Sequence, residues 1–242
     1  MTRRNLIRYI RVPQLLVFST IQPVMFLMLF TFVFGGAIET PGAKYVDYLI
    51  PGIIVQTVIF GSIQTGIGLA EDLSKGLIDR FRSLPMDRSA VLAGRAIADT
   101  IRNIFVVFLM IIVGFLIGFR FHHGLLNALL AIFLAVVFGF SFSWIAATIG
   151  LLVKNVEVAQ VAGFIWVFPL VFASSIFVPI ETMPRGLKAF AEISPITVTV
   201  DTIRALSLTG NVDERVISSL LWSAAIMLAF IPLSVKIYRR KS

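Results

Sequence analysis

Six side chains in the uncharged parts of the sequence have the types and spacing to hold a ligand. Gln56, Phe60 and Gln64 recur at i, i+4, i+8, and Phe164, Phe168 and Phe172 do the same around Pro169. Helical periodicity places each trio on one face. Aromatic faces with a few neutral amides suit an amphipathic, drug-sized ligand, a cationic one in particular, through stacking and cation–π contacts. The competing reading is packing or lipid contact, because the chain holds 22 Phe and such stripes recur by composition alone. A second group, Asp79, Arg80, Phe81, Arg82 and Arg88, gathers charge in one short segment, which suits either a soluble partner or a solvated connector. His122 and His123 are adjacent with no carboxylate nearby, a pattern closer to interfacial polar residues than to a metal site. The chain has no cysteine, which removes disulfides, Cys-ligated zinc, iron–sulfur clusters and thiol nucleophiles. It also lacks a G-x-x-x-x-G-K-[ST] phosphate loop, a G-x-S-x-G elbow and an H-E-x-x-H pair. The expectation is a protein with no catalytic residues, no metal and no cofactor of its own.

What must position these residues follows from the charges. The 242-residue chain is 58% hydrophobic and only 14% charged. That is too little charge to cover a water-facing surface. Stretches free of Asp, Glu, Lys and Arg cover residues 12–38, 48–70, 103–119, 121–153, 158–180 and 216–235. A helix needs roughly 20 apolar residues to cross the hydrocarbon core. Six transmembrane helices are expected, the fourth beginning near Leu125. The runs are continuous rather than alternating, which excludes a membrane barrel. The first run is too long for a removable signal peptide. No Asp, Glu, Lys or Arg falls inside these stretches and His122 and His123 sit in a short outer turn, so the chain holds no proton or ion relay, and the energy for uphill transport must come from another polypeptide.

Basic residues are retained on the cytoplasmic side of a membrane. With the N-terminus inside, the inner segments hold 15 of the 21 Lys and Arg, and both termini are cytoplasmic. The net charge of +8 is therefore a property of membrane ends facing anionic lipid or a cytoplasmic partner, and nucleic acid is not expected. Residues 2–12 put Arg4, Arg8 and Arg11 on one side and read as an interfacial elbow helix before Pro13. Residues 71–102 form the longest inner segment. Leu73, Leu77, Phe81 and Leu84 oppose Asp72, Lys75, Asp79 and Arg82 there, an amphipathic helix that Pro85 ends. On the outer side, residues 181–215 are still fairly apolar, and Pro184 and Pro195 divide them into a re-entrant helical hairpin. Gly139, Ser143 and Ala147 make a small-residue stripe for close helix packing, and Gly114 with Gly118 a weaker one.

The run from Gly76 to Arg88, followed by Leu92, Gly94, Arg95 and Asp99, resembles the inner loop of type-2 ATP-binding cassette (ABC-2) exporter permeases. Within them it is most similar to the daunorubicin/doxorubicin-resistance branch. Ser194, Pro195, Asp201, Arg204 and Gly210 resemble the stretch before that family's last span. The resemblance implies one all-α transmembrane domain over residues 1–242, in a prokaryotic plasma (inner) membrane. It implies a dimer with a second copy or a paralogue, driven by two ABC ATPase subunits that carry the ATP and Mg. It assigns Asp79, Arg80, Phe81, Arg82 and Arg88 to the ATPase contact. Gln56, Phe60, Gln64, Phe164, Phe168 and Phe172 become candidate substrate positions, for export of a hydrophobic or amphipathic compound by alternating access. A lipid or polysaccharide permease of the same architecture, and a non-transporting membrane scaffold, stay open as readings.

Overall fold

The computed structural model describes residues 5, 7, 11, 13–36, 38, 44–76, 88–153, 155–210 and 214–241. Asp79, Arg80, Phe81 and Arg82 lie outside them, as does nearly all of the 2–12 elbow. The described residues form helices and no strand. In chain order these are α1 (Pro13–Leu29) with a π turn at Phe30–Phe34, α2 (Tyr45–Ser74), α3 (Arg88–Ile117) and α4 (Gly124–Leu152). α5 (Val156–Phe172), a 3₁₀ turn (Ile180–Thr182), α6 (Arg185–Ile193), α7 (Pro195–Leu208) and α8 (Glu214–Lys241) follow. Four helices, α2, α3, α4 and α8, are long and apolar enough to cross a membrane, whereas α1 and α5 have 17 residues each.

α2 is the central post, and glycines explain how its neighbours approach it. A Cβ on Gly66 would strike the Ala146 backbone of α4, one on Gly150 would strike the Gly66 backbone, and Gly139 faces Val58. Main chain therefore touches main chain along the α2–α4 seam. In a bilayer this is the effective means of association, because burying Leu against protein gains little over burying it in lipid. The Gly139, Ser143, Ala147 stripe is part of this face. Gly114 also packs closely, on Ile50, but Gly118 has φ +111° and ends α3 instead of packing it. The core fills from α2 (Leu49, Ile53, Val55, Ile59), α3 (Val107, Met110), α4 (Leu134, Phe138) and α7 (Val200, Ile203, Leu206).

At one end of the bundle, Gly76 with φ +63° terminates α2, a conformation costly for any side chain with a Cβ. α2 runs through Glu71 to Ser74 without a break, so the amphipathic helix expected from residue 71 onward does not begin there. At the opposite end, Pro195 opens α7 at its first position, where its fixed φ suits helix entry. α7 buries Ile196, Val200, Ile203 and Leu206, while α6 exposes Leu187, Phe190 and Ile193. The two histidines staple the α3–α4 turn to this hairpin. His122 N–H donates to the Ser207 carbonyl (3.0 Å) and His123 Nε2–H to that of Leu208 (2.8 Å).

Candidate functional site

A groove runs between α1 and α2, walled by Ser19, Gln22 and Pro23 on one side and Gln56, Thr57, Phe60, Gly61 and Gln64 on the other. Four-residue spacing sets Gln56, Phe60 and Gln64 along one stripe of α2. Gln64 is exposed at the mouth, whereas Gln56 is only 1% exposed. The Gln56 side-chain carbonyl Oε1 has no hydrogen-bond partner among the described residues. A buried acceptor left in that state costs about 1–3 kcal/mol, which a donor entering the groove would recover. The free volume is about 40 Å³, well short of the roughly 300–1,000 Å³ of a drug-sized pocket. A larger occupant enters only when α1 and α2 separate.

An aromatic chain continues from the groove wall. Phe60 meets Phe168 edge-on at 5.3 Å and Phe164 at 6.1 Å, and Phe168 stacks on Phe172 at 5.7 Å. Phe172 passes the contact to Phe177 (5.1 Å), which stacks on Phe30 of α1's π turn (4.3 Å). The structure thus joins all four sequence-selected rings, Phe172 only through Phe168. Phe168 and Phe172 are 39% and 43% exposed, so part of the chain faces outward from the bundle. Sequence reasoning missed Phe26 and Phe30, although Phe26, Phe30 and Phe34 carry the same four-residue spacing.

The charge-free picture of the membrane helices needs correcting. α3 starts 15 residues before the uncharged stretch and carries Arg95, Asp99 and Arg102. The part of α3 long and apolar enough to cross a membrane, Val91–Ile117, includes Arg95, Asp99 and Arg102. All three are buried against α2, with Asp99 at 0% exposure. Arg95 Nε donates to Asp99 Oδ2 (3.2 Å), which also accepts from Thr65 Oγ1 (2.7 Å), and Arg95 Nη2 reaches the Gln64 carbonyl (3.3 Å). Arg102 Nη2 donates to the Gly61 carbonyl (2.7 Å) and to Asn103 Oδ1 (2.9 Å). Counting formal charge missed them because a paired, hydrogen-bonded ion survives burial where an isolated one does not. Of the loop group expected to meet a partner, only Arg88 is described, as the first residue of α3.

A second cavity, of about 580 Å³, lies under the hairpin between the start of α2, the 3₁₀ turn, α7 and α8. Arg204 holds it together. Its guanidinium sits 3.5 Å over the Tyr48 ring and donates to Asp201 Oδ1 and to the carbonyls of Tyr48 (3.1 Å) and Ser175 (2.9 Å). Ser175 Oγ also donates to Asp201 (2.8 Å). Burial raises the Asp201 carboxyl above its ordinary pKa and lowers Arg204 below its own, so each charge depends on the other. The sequence signal for this pair is their three-residue spacing within an apolar helix.

An all-helical bundle with four membrane-length helices, a buried Arg95–Asp99 pair and a groove on its central helix defines a multi-pass membrane protein. The chain belongs to the ABC-2 type transporter family, which matches residues 1–208. A daunorubicin-resistance ABC transporter permease of Streptomyces coeruleorubidus is 34% identical over 241 residues, covering 99% of this chain and 84% of the relative. A Mycobacterium tuberculosis permease named for doxorubicin resistance is 26% identical over 243 residues, covering 100% of this chain and 87% of that one. A permease of Escherichia coli named for multidrug transport is 27% identical over 198 residues, 80% of this chain and 52% of the relative.

Proposed function

We propose that this chain is the non-catalytic permease of an ATP-driven exporter for an amphipathic, cationic, drug-like compound, and that the α1–α2 groove receives the compound. The observation that carries the reading is the Gln56 carbonyl, buried beside Phe60 with no partner among the described residues. An ammonium or N–H donor satisfies that oxygen, and the rings of Phe60, Phe164 and Phe168 take the apolar body of the ligand. A buried acceptor beside the ring cluster of Phe60, Phe164 and Phe168 suits a cationic drug with an apolar body better than a glycan, which has no such body to place on those rings. The names of the Streptomyces and Mycobacterium relatives point to the same class of cargo.

In this reading α1 with its π turn and α5 with the turn after it cross the membrane along with the four longer helices, making six spans. The 15 inner basic residues set both termini and the 77–87 segment in the cytoplasm of a bacterial cell. Asp79, Arg80, Phe81, Arg82 and Arg88 there meet an ABC ATPase, two of which serve a permease dimer. ATP binding to that partner favours one of two permease states, and the closed α1–α2 groove belongs to the state without cargo. The cavity below Tyr48 and Arg204 lies on the exit side.

The test is ATP-driven uptake of daunorubicin into inside-out vesicles holding the chain and its ATPase. Uptake is expected with ATP. Gln56→Leu lowers apparent affinity about 10- to 100-fold, the loss of one hydrogen bond to a charged group. ATP-independent behaviour, or uptake indifferent to Gln56→Leu and Phe60→Ala, overturns the reading.

A further inference from the structure

Arg95, Asp99 and Arg102 belong neither to the groove nor to the loop that joins α2 to α3, yet they bind the two helices together between those regions. Replacing a buried ion pair with apolar side chains is often neutral or stabilising, so stability alone is a weak reason for keeping three such groups buried. Their partners are informative. Arg95 and Arg102 donate to the main-chain carbonyls of Gln64 and Gly61, and Thr65 supplies a third contact one residue on. Side-chain contacts let a helix rotate beneath them, but a grip on carbonyls moves the helix itself. Gly61 and Gln64 are also groove residues. The fit depends on glycine, since a Cβ on Gly68 would strike the Arg95 guanidinium and one on Gly61 the Asn103 amide.

The arms of the device are nearly equal. From Ser74 back to Gly61 is 13 residues and from Arg88 to Arg102 is 14, about 20 Å of helix each. Ser74 of α2 and Arg88 of α3 are therefore the ends of two helices fastened to each other about 20 Å away, at the level of the groove.

We infer that α2 and α3 move as one rigid stem, with Arg95, Asp99 and Arg102 as positioning residues that carry a displacement of the 77–87 segment to the groove face instead of letting the helices splay. The inference rests on the proposed ATPase contact at that segment. It assigns these residues no contact with the ligand or the ATPase.

The native chain has no cysteine, so a pair introduced at Gly61→Cys and Asn103→Cys reports alone. Asn103 Cγ lies 2.9 Å from where a Gly61 Cβ would stand. One further carbon–carbon bond of about 1.5 Å puts the two Cβ atoms at most about 4.4 Å apart, inside the roughly 4.5 Å upper limit that a disulfide spans. The readout is drug-stimulated ATP turnover of the purified permease–ATPase complex, with the double-cysteine protein compared only with itself, oxidised against reduced. With Arg95, Asp99 and Arg102 and their bonds to α2 kept, oxidation leaves stimulation within about twofold, because helices that already travel together lose nothing when bonded. Adding Arg95→Gln and Asp99→Asn to the reduced protein lowers stimulation about tenfold while basal turnover persists, and oxidation restores it. Loss of stimulation on oxidising the network-intact protein overturns the stem, since it shows the helices sliding during the cycle. A disulfide that forms in the network variant without restoring stimulation does so too. If that variant fails to assemble, the network-intact pair decides the matter alone. A wild-type complex with no stimulated turnover refutes the proposed function, and the inference with it.

Discussion

Valine at position 150 should separate the two central helices. The Gly150 Cβ position lies 2.6 Å from both the carbonyl carbon and the Cα of Gly66, and these are backbone atoms that no rotamer change can move aside. Carbon atoms rest about 3.5–4.0 Å apart, so α2 and α4 must part by roughly 1 Å. A gap of that size forfeits a quarter to a half of each neighbouring van der Waals contact, including those of Gly66 with Ala146 one turn away. Overpacking of this kind costs about 1–3 kcal/mol, and the branched second methyl of valine takes Gly150→Val to the top of that range. Gly186→Ala on α6 is the control. Its Cβ meets nothing within 4 Å, so alanine gains up to about 1 kcal/mol from helix propensity. Both are read by reversible unfolding in detergent, followed through the fluorescence of Trp144, which is buried on α4. Equal stabilities for the two variants would refute the claim that the α2–α4 seam is backbone against backbone.

Other outcomes follow from the same geometry. Arg204→Lys keeps the charge but loses the planar fork and the stacking on Tyr48, and it destabilises by about 2–3 kcal/mol in the same unfolding assay. Tyr48→Phe removes only the hydroxyl bond to the Ser175 carbonyl (3.0 Å) and costs about 1 kcal/mol. Gln56→Leu removes a buried acceptor that nothing satisfies, so it leaves the ligand-free protein equally stable or about 1 kcal/mol more stable while drug affinity falls. Opposite signs for stability and affinity mark a binding residue, and a fall in both marks a packing one. His123→Ala removes one of the two bonds that hold the α3–α4 turn to α7, leaving that of the His122 N–H, and amide exchange across residues 118–124 becomes faster.

The sequence exposed the helical bundle because lipid removes the need for polar surface: long uncharged runs can be read directly, and α4 begins at Gly124, one residue from the expected Leu125. Four-residue spacing also put Phe164 and Phe168 on one face of α5, and it is the packing of α5 on α2 that brings them to Phe60. It could not reveal which amide lacks a partner, because Gln56 and Gln64 are alike in sequence and differ only in how α1 covers them. Charge counting failed at α3 for a physical reason. A run without ions marks where helices meet lipid, but Arg95, Asp99 and Arg102 face α2, the first two paired with each other and Arg102 held by the Gly61 carbonyl, so the helix extends beyond the run. The Arg204–Tyr48 contact joins residues 156 positions apart, which local spacing cannot encode.

Protection of single introduced cysteines in this cysteine-free chain tests most directly where the compound binds. Gln64→Cys places a thiol at the exposed mouth of the α1–α2 groove, and Ser218→Cys places one on the exposed rim of the hairpin cavity. Maleimide labelling of each is followed in the permease–ATPase complex with and without saturating drug and no nucleotide. The account predicts labelling slowed about tenfold at position 64, as expected when a bound ligand blocks access most of the time, with no change at position 218. Protection at position 218 with free labelling at position 64 would contradict it.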